Sequence, residues 1–234
     1  METGAYVGSE LELFADARNW KHYWGSIVRP HLGDRVLDVG AGIGETAKTL
    51  ATDHHKRWVC LEPDRRMVEQ IAHRINSREL PGICEPRIGT IDDIGERDFS
   101  AVLYIDVLEH IKDDREELRK AAERLQPDGR VVVLAPAYQW LYTPFDRAIG
   151  HFRRYTLPDL RALTPPQLFE LSGVYLDSVG LLASLANRLV LKSKMPTRRQ
   201  IAIWDGAMVP VSRITDRALF YRVGKSILAI WRRR

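Results

Sequence analysis

Cysteine is almost missing from this chain of 234 residues, which holds only Cys60 and Cys84. Two cysteines make neither a disulfide framework nor a zinc set. Cys60 sits in the apolar run Trp58-Val59-Cys60-Leu61 and reads as a buried thiol, which suits a reducing cytoplasm. Long apolar runs are also lacking. The best candidate, Val179 to Leu191, falls short of the roughly 18 residues that a membrane span needs and is interrupted by Asn187 and Arg188. The opening residues Met1-Glu2-Thr3-Gly4-Ala5-Tyr6 have no basic stretch and no apolar one, so no secretory signal is expected. Repeats and low-complexity segments are missing too. No strip of basic and aromatic residues resembles an RNA-binding module, so nucleic acid is not an expected partner. What remains is ordinary for a globular domain, 45% hydrophobic and 28% charged, and a single domain over residues 1–234 is expected.

The net charge of +4 hides an asymmetry. From Lys192 to Arg234 eleven Lys and Arg stand against Asp205 and Asp216, a balance of +9, and the rest of the chain carries −5. A basic tail on an acidic body suits an anionic substrate or peripheral contact with a membrane surface, and equally a solvated face.

Periodicity divides the chain into alternating helices and strands. Leu13, Ala17, Trp20, Trp24 and Ile27 recur at helical spacing ahead of Pro30. A short apolar strand over Val36–Val39 breaks into Gly40-Ala41-Gly42-Ile43-Gly44, and a helix follows over Thr46–Ala51. Arg57–Leu61 is a second strand, and the helix after it carries Met67, Val68, Ile71, Ala72 and Ile75 on one face. Further strands are expected over Ile83–Ile88 and Ser100–Ile105, then a helix over Asp113–Leu125, a turn at Gln126-Pro127-Asp128-Gly129 and a fifth strand over Arg130–Leu134. Strands alternating with helices build a parallel, doubly wound α/β sheet. Ala135 to Arg154 reads as a long loop, and loops of that length in a compact domain are usually functional. Thr156-Leu157-Pro158-Asp159 opens a helix, with Tyr155 and Leu160 at the staple positions. Leu168–Leu176 is a sixth strand, Gly180–Asp216 two or more helices, and Gly224–Trp231 a final strand.

The glycine turn marks a ligand site, because backbone N–H groups at a helix start face whatever lies in the turn. A dinucleotide fold wants G-x-G-x-x-G, whose third glycine would fall at position 45, where this chain has Glu45. An acid there would repel a pyrophosphate and tolerate a cationic sulfonium, which favours S-adenosylmethionine over NAD. Glu62, ending the second strand, suits the ribose hydroxyls of either nucleoside.

From about Val36 to Leu134 the chain resembles the class I S-adenosylmethionine-dependent methyltransferases. The matching stretches are Val36 to Gly44, Leu61-Glu62-Pro63-Asp64, Asp106-Val107-Leu108-Glu109-His110-Ile111 and Leu125 to Arg130. A looser match, Gly150-His151-Phe152-Arg153-Arg154-Tyr155-Thr156, resembles a segment of a subset acting on small molecules or on lipid- and sugar-linked products.

The resemblance implies a Rossmann-like sheet of seven strands, mostly parallel with a final antiparallel strand, and a helical insertion between the last two strands. It implies S-adenosyl-L-methionine as cofactor and S-adenosyl-L-homocysteine as product. The backbone from Gly40 through Ala41 to Gly42 would pack against the methionine part, Glu62 would hold the ribose, Thr90 and Ile91 would grip the adenine, and Asp38, Gly44 and Pro63 are further candidate cofactor contacts. Asp92 stands in for the acid that such enzymes often carry at the place of Thr90. Asp106 and Val107 would line the methionine end. Residues 1–33 would lie over the cofactor, and the insertion, residues 180–218, would cap the acceptor site. Family members acting on DNA bases or protein amides carry a Pro-Pro-aromatic run where this chain has Asp106-Val107-Leu108-Glu109, so a small-molecule acceptor is expected.

Methyl transfer gains much of its rate from positioning, and a base is needed only for an un-ionised acceptor. His151 is the leading candidate for base or positioning group, and His110 either reaches the same site or packs at its helix entry. Arg153 and Arg154 are candidate clamps for an anionic acceptor, beside Tyr155; Tyr138, Trp140, Tyr142 and Phe145 are candidate pocket walls. His54-His55 reads as solvent-exposed, and no metal site is expected. Leu181, Leu182, Leu185, Leu189 and Met195, with Lys192, Lys194, Arg198 and Arg199, would form a greasy, basic cap suited to an amphiphilic acceptor or a bilayer surface. The competing readings are a catalytically silent cofactor-binding module, an enzyme of cyclisation, and an NAD-dependent oxidoreductase.

Overall fold

The computed structural model describes residue 11, residues 14–186 and residues 197–234. Leu13, Asn187, Arg188, Leu189, Lys192, Lys194 and Met195 of the sequence reading lie outside them. Seven strands form one sheet in the order β3-β2-β1-β4-β5-β7-β6. They span β1 (Arg35–Val39), β2 (Arg57–Glu62), β3 (Cys84–Ile88), β4 (Phe99–Ile105), β5 (Leu125–Pro136), β6 (Leu168–Leu176) and β7 (Ser226–Arg233). The first five run parallel, and β7 pairs antiparallel with both β5 and β6. The chain order reverses between β1 and β4, the place where open α/β sheets leave a crevice beyond the strand ends.

Each strand's place follows from its side chains. β1 and β4 are buried along nearly all their length, as expected of central strands covered on both faces. Pro86, which has no N–H to donate, lies in β3 at the sheet edge. The expected turn at residues 126–129 lies inside a strand instead. Leu125 pairs with Phe99 and Arg130 already with Ala101, so the residues between bulge out, with Asp128 at φ 61.

The helices are α1 (Arg18–Val28), α2 (Glu45–Leu50), α3 (Arg65–Asn76), α4 (Asp114–Arg124), α5 (Pro144–Ala148), α6 (Leu157–Leu163), α7 (Ser178–Ala186), α8 (Arg198–Ile203) and α9 (Val209–Ala218). One apolar layer packs α1, α2, α3 and the α8–α9 region on one face of the sheet, and the other packs α4 and α6 on the opposite face. α2 starts one residue earlier than its sequence pattern suggests, because Gly44 at φ 85 turns the chain directly into it. The stretch from Ala135 to Arg154 is more ordered than a loop. A 3-10 turn over Gln139–Leu141 is followed by α5, where Thr143 and Asp146 form a capping box.

Helices from the two chain ends lock together around buried acids. Ala17 offers α1 no side-chain cap. Asp205, from the single π-helical turn Trp204–Met208 between α8 and α9, accepts from the free N–H groups of Asn19 (3.1 Å) and Trp20 (2.8 Å). Asp216 of α9 accepts from the Tyr23 hydroxyl (2.8 Å) and from the backbone N–H groups of Asp177 (2.7 Å) and Ser178 (2.9 Å) at the start of α7. His55 departs from expectation: it is buried, edge-on to Trp58 at 5.1 Å and bonded to Thr52, while His54 is exposed.

Candidate active site

A cavity of about 820 Å³ opens at the carboxyl ends of the parallel strands. Its floor is the glycine turn after β1. Gly40 has φ +66, and a Cβ there would meet Val107 Cγ1 at 2.7 Å, so only glycine lets Val107 close against the turn. Glu62 holds the turn from the side: its carboxylate accepts from the N–H of Gly42 (2.9 Å) and of Asp64 (3.0 Å). Burial raises the pKa of Glu62, and the two backbone donors pull it back. Two bonds leave a carboxylate further acceptor capacity, which is what a ribose diol needs.

Of the candidate cofactor residues, Gly40, Ala41, Gly42, Glu62, Pro63, Thr90, Ile91, Asp92, Asp106 and Val107 line the cavity. Asp38 and Gly44 do not. Asp38 is buried beneath the turn, and Gly44 donates to Ala41 (2.8 Å) and shapes the entry to α2. Asp92 is mostly exposed at the rim, 2.6 Å from Lys120. Thr90 and Asp93 cap the 3-10 turn after β3.

Glu45 does not present a free charge to the cavity. Its carboxylate is paired with Lys21 of α1 and with Arg74 of α3 (2.7 Å), and these cations hold its pKa down against burial. The charge assigned a role in repelling pyrophosphate is therefore neutralised by the protein itself. Its effect on ligand choice is small.

At the other end of the cavity Asp106 follows β4 with φ 55, a strained value for a residue with a side chain. The next turn presents Glu109 and His110, and His151 arrives from the segment after α5. The two imidazole rings meet edge to face at 4.6 Å. Asp146 accepts from His151 Nδ1 (3.0 Å), from Thr143, and from Arg154 through two bonds of 2.8 and 2.9 Å. Burial opposes ionisation of Asp146, yet these donors hold its carboxyl well below the usual range. Glu109 is fully buried, and burial reinforced by Asp106 drives its pKa well up. Burial, with the neighbouring His151, lowers His110 to about 4, so its ring is neutral at pH 7.

The residues proposed as acceptor contacts separate into two sets. Phe145 and Arg154 line the cavity; Tyr138, Trp140, Tyr142, Arg153 and Tyr155 do not. Tyr138 stacks between Trp140 (5.4 Å) and Tyr175 (5.1 Å). The Tyr142 hydroxyl donates to the His151 carbonyl (2.6 Å), which fixes the backbone that carries the imidazole. Arg153 pairs with Asp114, and the Tyr155 hydroxyl donates to the same carboxylate (2.9 Å). These groups support the site from outside.

Sequence reasoning passed over Glu109, Asp146 and Lys225. Glu109 lay inside a recognised motif without a role. Asp146 was readable only as an acid near a histidine. Lys225, just before β7, lines the cavity 3.3 Å from Asp177 with its ammonium 3.7 Å from the centre of the Trp204 ring. The N-terminal stretch reaches the cavity through Leu11, Phe14, Ala15, Trp20, Lys21 and Trp24.

Residues 37–131 match the family described as a methyltransferase domain. The demethylmenaquinone methyltransferase of Tropheryma whipplei is 27% identical over 179 residues, covering 71% of this chain and 69% of that protein. The ubiquinone biosynthesis O-methyltransferase of Azorhizobium caulinodans is 32% identical over 109 residues, 45% of this chain and 42% of that one. Among solved structures, a geranyl diphosphate methyltransferase in complex with S-adenosylmethionine superposes with a TM-score of 0.62 at 15% identity, covering 100% of this chain and 93% of that chain.

Proposed function

We infer that this chain is a class I S-adenosylmethionine-dependent methyltransferase, an enzyme that methylates a small molecule. The observation that carries the reading is one cavity joining the glycine turn and Glu62 at one end to the Asp106–Glu109–His110–His151 cluster at the other. Its volume is within the range of small-molecule sites and leaves room for a second compound beside a nucleoside.

The bound cofactor supplies a methyl group on a sulfonium, a good leaving group. The residues do the rest. Gly40 to Gly42 and Glu62 would hold the donor, Thr90 and Ile91 would take its base, and Asp106 and Val107 its methionine part. Phe14, Ala15, Trp20, Lys21 and Trp24 line the same cavity, where the two indoles would keep water from the bound donor. The acceptor enters between Phe145 and Arg154 and faces His151, which Asp146 holds in one tautomer. Apolar and aromatic walls from Phe145, Ile149 and Trp204, with the paired side chains of Arg154 and Lys225 among them, suit an amphiphilic acceptor. The quinone-pathway names of two relatives support that class.

Calorimetry with S-adenosylmethionine, S-adenosylhomocysteine and NAD tests the donor. Both adenosyl ligands should bind, and Glu62→Ala should weaken each at least about tenfold, the loss of a charge-assisted bond pair. Binding of NAD alone would remove the reading, and undiminished affinity in Glu62→Ala would put the ribose elsewhere.

We also propose peripheral contact with an anionic bilayer. No helix among the described residues is long and apolar enough to cross a membrane. The outer face of α9 and the turn after it nevertheless expose Val211, Ile214 (72%) and Phe220 (78%), flanked by Arg213, Arg217 and Arg222. Apolar groups ringed by arginine are the composition of an interfacial anchor.

A further inference from the structure

Glu109, His110 and His151 each offer a ligand atom, and the three atoms lie within 4.8 Å of one another. His151 Nε2 is 3.8 Å from Glu109 Oε1. Because Nδ1 of His151 is bonded to Asp146, Nε2 is the ring nitrogen that faces Glu109. A carboxylate, a histidine and its second nitrogen aimed at the site form the arrangement that steadies a metal-binding imidazole.

A second observation points the same way. Glu109 is fully buried and lines the cavity, and among the described residues neither of its oxygens has a hydrogen-bond partner. With no hydrogen-bond donor on either oxygen and no Lys or Arg within ion-pair distance among the described residues, both oxygens are open to a cation entering from the cavity. The cations lining this end of the cavity are engaged elsewhere. Arg154 is bidentate on Asp146, and Lys225 is on Asp177 and the Trp204 ring. Once those pairs are set aside, Asp106 and Glu109 remain, two carboxylates facing one cavity without a salt-bridging Lys or Arg among the described residues.

We propose that Glu109, His110 and His151 bind one divalent first-row cation of the Zn²⁺, Mn²⁺ or Co²⁺ class, with coordination positions left open toward the acceptor. Two imidazoles and a carboxylate form a three-ligand set that such ions accept while keeping room for substrate. Donors bound at ~2.0–2.2 Å are closer together than 4.8 Å, so a modest movement of the three side chains closes the shell. The role of the ion rests on the methyltransferase reading, since an acceptor oxygen would take an open position. Its binding does not.

The experiment uses the full chain, stripped with a chelator. Calorimetric titrations with Zn²⁺, Mn²⁺ and Co²⁺ are run beside a titration with S-adenosylhomocysteine, and visible absorption of the Co²⁺ protein reports coordination by protein nitrogen. One equivalent should bind with a Co²⁺ band. Glu109→Gln and His151→Gln should each weaken binding at least tenfold, and Asp146→Asn, acting through His151, by about 10–100-fold. If Glu109→Gln does not fold, His151→Gln decides, since its ring reaches the cavity. No uptake of any of the three cations by a protein that binds S-adenosylhomocysteine overturns the site and leaves the methyltransferase reading intact. Uptake unchanged in the variants also overturns it. Failure to bind the adenosyl ligand counts against the donor reading alone.

Discussion

Asp38 lies inside β1, one residue before its end, with a carboxyl that solvent does not reach and whose Oδ2 has no hydrogen-bond partner among the described residues. Burial raises its pKa to about 8, with the Trp58 indole opposing and the Glu62 charge adding to the rise. In the unfolded chain the same group titrates near ~3.9. Between those values the folded protein holds a proton that the unfolded chain has released, so this group's contribution to stability falls as pH rises from about 4 through 8. Asp38→Asn, which copies the neutral form, should therefore raise the thermal midpoint of the cofactor-free protein more at pH 8 than at pH 5. A scan showing equal shifts at both would place the proton elsewhere. The resemblance implies Asp38 as a cofactor contact, but it lies within β1 and does not line the cavity. Which side of the pleat it faces depends on register, which a single strand does not reveal. Glu62 was easier to read, because the end of the second strand in such a sheet always faces the crevice.

At the scale of elements, the amphipathic pattern of α1 was plain, but its N-terminal cap is not in its own sequence. Asp205, more than 180 residues away, fills that role. Asp216 likewise ties three helices by accepting three buried hydrogen bonds. Asp216→Ala leaves those donors unpaired and should destabilise the protein by ~3–5 kcal/mol, the cost of breaking a buried charged network. At ~2–4 °C per kcal/mol for a chain of this size, the midpoint falls by roughly 6–20 °C. Tyr23→Phe removes one partner and should cost only ~1–2 kcal/mol. Equal losses in the two variants would contradict the network. The capping box of Thr156 and Asp159 was legible, because it joins residues three apart. The stretch from Ala135 to Arg154 was not, because α5 there is five residues long and shows no periodicity.

For the whole molecule, the basic C-terminal region and the apolar face of α9 make a prediction about surfaces. Co-sedimentation with vesicles containing anionic lipid should be strong at low salt and fall as the Debye length shortens. Ile214→Asp with Phe220→Asp should abolish it while leaving affinity for S-adenosylmethionine unchanged, since neither residue lines the cavity. Equal sedimentation of the double variant would remove this face from consideration.

The order of strands and helices, the glycine turn, the acid after β2 and the motif after β4 were set by the sequence alone. Periodicity, turns and caps depend on neighbours within a few positions, so they are visible along the chain. Tertiary structure decided what the charged and aromatic side chains do. Glu45 meets Lys21 and Arg74, five candidate acceptor contacts do not line the cavity, and Glu109 comes within 3.8 Å of His151 across 42 positions of sequence. Pairings of that range depend on sheet register and on which helix face is buried. Both are properties of the packed molecule.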